Sequence, residues 1–121
     1  MTDPNGGRLT IHVLDLRLGR PAAALRFELY RLTDGERTLM KQGTTNSDGR
    51  TDGPLLEGPT LTTGLYELVF SAGTYQALHL PAKETGFYDL IPIRFKITDR
   101  NAHYHVPLLL SPFGYSTYRG I

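Results

Sequence analysis

The sequence predicts an all-β domain, an antiparallel sandwich or barrel of about six to eight short strands. Three observations carry that prediction. Thirteen glycines and eight prolines punctuate the 121 residues at short intervals. The runs between them alternate apolar and polar residues with a period of two, the signature of strands buried on one side. The only stretch with helical character, residues 74–80, is roughly one or two turns long and stops before Pro81.

The elements follow in order. LTIHVLDL, residues 9–16, puts Leu9, Ile11 and Val13 on one side and Thr10, His12 and Leu14 on the other. Asp15 falls on the core-facing parity, where an unpaired carboxylate is costly, so it is expected to bond to the backbone of the turn that follows. Gly19, Arg20 and Pro21 form that turn. ALRFELYRL, residues 24–32, alternates again, with Leu25, Phe27 and Leu29 opposed to Arg26, Glu28 and Tyr30. TLMKQGTTN then leads to Ser47-Asp48-Gly49, a turn whose glycine supplies a positive φ. GLYELVFSA (64–72), IPIRFKIT (91–98), HYHVPLLL (103–110) and the shorter YSTYRG supply the remaining strands. Residues 1–8, MTDPNGGR, are expected to be disordered, and residues 9–121 to form one domain.

Composition narrows the function. A chain of this length buries about two-thirds of its unfolded surface and needs no staples. It has no cysteine, which excludes disulfides, thiolate metal sites and a cysteine nucleophile. Thirteen basic residues nearly balance twelve acidic ones, and they are dispersed, so no nucleic-acid footprint is present. There is no secretory signal and no run of the roughly 20 apolar residues that span a bilayer. The expectation is a soluble, cytoplasmic protein that binds neither nucleic acid nor membrane.

Polar residues on the strands are the functional candidates. If Ile11 and Val13 face the core, His12 faces away from it. If Tyr104, Val106 and Leu108 face the core, His103 and His105 both project outward. Arg50, directly after the glycine turn, can be aimed across a sheet surface. Two imidazoles and a guanidinium from distant parts of the chain make a possible constellation, although an outward histidine is more often simply solvated. His103 and His105, about 7 Å apart along a strand, could also chelate an ion, but the sequence names no third ligand. His79 reads as structural or surface. No serine elbow, phosphate loop or dinucleotide fingerprint is present.

The closing HYHVPLLLSPFGYSTYRG resembles the terminal signature of the transthyretin-like 5-hydroxyisourate hydrolases, and LTIHVLDLRLGRPAAAL is similar to their N-terminal signature. NSDGR agrees with both, so the resemblance covers residues 9–120. It implies a transthyretin-like sandwich of two four-stranded sheets with one short helix, assembled as a homotetrameric dimer of dimers with active sites in the channel between dimers. It also implies hydrolysis of the cyclic amide of 5-hydroxyisourate to 2-oxo-4-hydroxy-4-carboxy-5-ureidoimidazoline, a step of urate degradation, without metal or organic cofactor. By the resemblance, His12, Arg50 and His105 are catalytic and bind substrate, and Tyr118 contacts substrate. His103 is not a core member, and Arg119 and Gly120 have shaping roles. One departure stands out: the family ends Tyr-Arg-Gly-Ser, whereas Ile121 follows Gly120 here. The alternative reading is a small-molecule carrier on the same fold, its hydrolase activity lost or altered through Ile121.

Overall fold

The computed structural model describes residues 6–121, and nine strands, one α-helix and a 3-10 turn follow one another along them. The strands are β1 (Arg8–Asp15), β2 (Arg20–Pro21), β3 (Arg26–Thr33), β4 (Glu36–Thr44), β5 (Leu56–Glu57), β6 (Gly64–Ser71), β7 (Leu90–Ile97), β8 (His103–Ser111) and β9 (Gly114–Thr117); helix α1 (Ala72–His79) lies between β6 and β7. They form two sheets, with the order β2-β1-β8-β9 in one and β4-β3-β6-β7 in the other. The two-residue β5 adds a fifth strand to the first sheet by pairing with the start of β1.

Alternation explains the packing. Leu9, Ile11 and Val13 of β1 and Tyr104, Val106, Leu108 and Leu110 of β8 line the inner face of the first sheet. They meet Phe27, Leu29, Tyr66, Leu68, Phe70, Ile91 and Ile97 of the second. Each such side chain contributes roughly 1.5–3 kcal/mol on leaving water. The sandwich is therefore the arrangement that buries both apolar faces at once.

Four expectations need correction. The sheets are not antiparallel throughout: β1 and β8 run parallel, in register from Arg8 opposite His103 to Asp15 opposite Leu110. Side-chain alternation is the same in either direction, so sequence pattern does not reveal it. The stretch leading to the 47–49 turn is itself a strand, β4, which carries no alternation because it is an edge strand exposed almost throughout. The first sheet has five strands rather than four. The expected disorder over 1–8 does not extend over its last residues: Gly7 is buried and its N–H donates to the Arg100 carbonyl, and Arg8 opens β1. Residues 1–5 lie outside the described residues.

Asp15 behaves as its parity requires. Its carboxylate accepts the N–H groups of Arg17 and Leu18, both at 3.0 Å, and the Tyr75 hydroxyl of α1 at 2.7 Å. The turn after β4 is organised by Asn46, whose side-chain oxygen accepts the N–H groups of Asp48 and Arg50. Gly49 has φ +72°, and its carbonyl accepts the Val13 N–H at 2.8 Å, which lays the turn against β1. A Cβ at Gly49 would sit 2.3 Å from the Val13 carbonyl oxygen. Replacing Gly49 with alanine combines a disfavoured φ with that clash and is expected to lower stability by about 2–3 kcal/mol, measured by urea unfolding.

Candidate active site

The parallel register sets the site. On the outward face of the first sheet, β1 presents Arg8, Thr10 and His12, and β8 presents His103, His105 and Pro107, with Thr10 opposite His105 and His12 opposite Pro107. His12 and His105 thus lie diagonally across adjacent strands, their ring centres 6.5 Å apart and their planes inclined by 35°. The 46–50 turn lies along the other edge of β1, which brings Arg50 beside the same face. Sheet pairing therefore assembles three residues that are far apart in sequence.

Each imidazole has its own support. Thr10 Oγ1 lies 2.8 Å from His105 Nδ1. Gly120 closes over the other side of that ring: its N–H donates to the His105 carbonyl at 2.7 Å, and a Cβ on Gly120 would sit 2.7 Å from His105 Cδ2 and 3.3 Å from Pro107. Arg119 anchors this return of the chain, with its guanidinium 4.3 Å from the centre of the Tyr104 ring and an N–H donated to the His103 carbonyl. Only glycine lets the tail lie this close to the imidazole.

Electrostatics ties the three residues together. Burial pushes the His12 ring below its ordinary pKa, and the Arg50 charge pushes the same way. A hydrogen bond to the Asp48 main chain and the Asp48 charge oppose this shift without reversing it. His105 is lowered by burial first, then by Arg50 and by His12. Both rings are accordingly neutral at pH 7 and able to accept a proton. Arg50 itself is exposed and lines a cavity of about 220 Å³ with Arg8, Thr10 and Thr51.

The other expected residues stand elsewhere. Tyr118 is 57% exposed and lines a separate cavity of about 250 Å³ at the open edge of the sandwich, with Ile93, Phe95, Tyr104 and Val106. Within one chain it does not share the cavity of Arg50. His103 lies next to Arg8 in the ladder, outside the His12–His105 pair. His79 stacks on Tyr75 at 4.2 Å and donates from Nδ1 to the Tyr75 carbonyl, a structural arrangement. Among the described residues no three His, Cys, Asp or Glu side chains come together as metal ligands would. Thr10 was missed by sequence reasoning. Its only signal is that it shares a face with His12, which gains meaning once β8 is known to run alongside.

Comparison with known proteins gives a consistent picture. A family model described as the HIUase/Transthyretin family matches residues 9–120. The chain is 57% identical to 5-hydroxyisourate hydrolase 2 of Rhizobium meliloti, over 94% of this chain and 96% of that protein. The structure of Klebsiella pneumoniae 5-hydroxyisourate hydrolase matches with a TM-score of 0.79 at 31% identity, covering 95% of this chain and 99% of that one. A crystal structure of (S)-allantoin synthase matches with a TM-score of 0.86 at 43% identity; it takes in the whole of this chain, which spans 46% of that longer one.

If Arg50 holds both imidazoles down, removing its charge raises both. In Arg50→Met the C2–H NMR titrations of His12 and His105 are expected to move up toward the ordinary histidine value together. Because a lowered folded-state pKa destabilises the protonated native state, the wild-type protein loses stability as pH falls from about 6.5 through the lowered values. The substitution weakens that loss. Movement of only one histidine would separate the three residues.

Proposed function

The chain belongs to the HIUase/Transthyretin family, and on that premise we propose that it is a 5-hydroxyisourate hydrolase, opening the cyclic amide of 5-hydroxyisourate in the degradation of urate. The observation that carries this reading is the meeting of His12, Arg50 and His105 on one face, with both imidazoles held neutral. Amide hydrolysis needs a base near neutrality to take a proton from water, and a cation where the carbonyl oxygen gathers negative charge. Neutral imidazoles supply the first and the Arg50 guanidinium the second, while its planar fork grips the polar ring of the substrate.

The active form is a homotetramer, a dimer of dimers, acting in the cytoplasm. Two features support association. Strands β7 and β9 are end strands of the two sheets, each paired on one side only. Around them Leu90, Phe113 and Tyr115 are exposed, with Phe87, Tyr88 and Tyr115 in edge-to-face contact. Apolar side chains beside unpaired strand edges favour pairing with another copy. Tyr118, exposed near the same edge, then contacts substrate in the assembled channel. No helix among the described residues is long and apolar enough to cross a membrane.

Generating 5-hydroxyisourate in situ from urate and following its ultraviolet decay tests the reading. The protein is expected to accelerate the decay. His105→Asn, His12→Asn and Arg50→Ala should each lose about 100-fold or more in kcat/KM, and an unaccelerated decay overturns the assignment. Light scattering is expected to give a particle of four times the 13.5 kDa chain. In the same assay Ile121→Ser is expected to change the rate by less than about tenfold, since the imidazoles and guanidinium are all present without it.

A further inference from the structure

The contact between Thr10 and His105 determines which nitrogen of the ring faces the substrate. A neutral imidazole carries one proton, and the partner of one nitrogen fixes the state of the other. Thr10 Oγ1 lies 2.8 Å from His105 Nδ1, and its hydroxyl proton has no other acceptor among the described residues. Nε2 of His105 has no hydrogen-bonding partner among them. A hydroxyl that donates to Nδ1 makes that nitrogen the acceptor and leaves the ring proton on Nε2. His12 shares the outward face with His105, the two ring centres 6.5 Å apart, and is the other imidazole placed to take a proton.

We propose that Thr10 is a positioning residue that holds the neutral His105 ring with its proton on Nε2, so that His105 serves as the proton donor of the hydrolysis and His12 as its base. This rests on the hydrolase reading. Water gives a proton to His12 while its oxygen bonds to the amide carbon. The carbon–nitrogen bond then breaks, its electron pair goes to the nitrogen, and that nitrogen takes the Nε2 proton of His105 as the proton on His12 passes through water to the same Nε2, so that both rings end neutral. Thr10 holds Nδ1 as acceptor throughout.

The sheet holds the His105 ring in this orientation. Parallel pairing places Thr10 directly opposite His105, and Gly120 blocks the Cδ2 edge of the ring. The imidazole is thus held on two sides, and a flip that would exchange its nitrogens loses the Thr10 bond. A threonine without such a role would tolerate valine, which has the same shape and no hydroxyl.

The test is the 15N spectrum of protein carrying labelled histidine, combined with kinetics. At neutral pH His105 is expected to show a protonated Nε2 and an acceptor Nδ1, read without substrate. In Thr10→Val the two nitrogens should become averaged, with kcat falling about 100-fold and KM staying within about twofold. Thr10→Ser should restore both spectrum and kcat. A proton found on Nδ1 in the wild-type protein overturns the proposal. So does Thr10→Val with unaltered spectrum and kcat, or a loss confined to KM. If Thr10→Val does not fold, the wild-type spectrum and the serine variant decide the matter. Because the spectrum needs no turnover, an inactive wild-type protein would refute the hydrolase reading while the placement of the proton is still read separately.

Discussion

The parallel, in-register pairing of β1 with β8 is the constraint on which the rest of the molecule depends. It joins residues about 95 positions apart in the chain, so no local preference specifies it. What specifies it is burial: Leu9, Ile11 and Val13 must share the inner face with Tyr104, Val106 and Leu108. A slip by one residue would turn every one of those side chains to the wrong face. The same register carries Thr10 to His105 and sets His12 one step further along. The apolar core and the polar site are therefore two faces of a single pairing, and a change that weakens one disturbs the other.

Much of the sheet structure was legible in the sequence because alternation was strong where one face is buried. Residues 9–16, 24–32, 91–98 and 103–110 all read as strands, and strands run there. Reading failed where that signal vanishes. β4 is solvated on both faces and so has no pattern to follow. The direction of β8 is invisible because period-two alternation has no polarity. At the site, the outward parity of His12 and His105 could be read from their strands, and the turn that delivers Arg50 from its glycine. The roles of those residues came from the resemblance of the two terminal signatures. Thr10, a common residue in a common setting, carried no signal until its neighbour across the ladder was known.

Charge at the site is economical in kind. Burial lowers both half-buried imidazoles, and one exposed guanidinium lowers both further. Neutral rings each keep a lone pair that can accept a proton. The arrangement also keeps the guanidinium available, since no carboxylate among the described residues forms an ion pair with Arg50.

The two open ends of the second sheet, β4 and β7, both carry exposed cations. β4 presents Arg37 and Lys41, with Arg26 bonded to Gln42 beside them. Desolvating such cations against their own duplicates is unfavourable. The opposite side offers Leu90, Phe113 and Tyr115, with exposed Arg94 and Lys96 on β7 beside them. A copy adding a strand at β4 or at β7 would have to desolvate such cations.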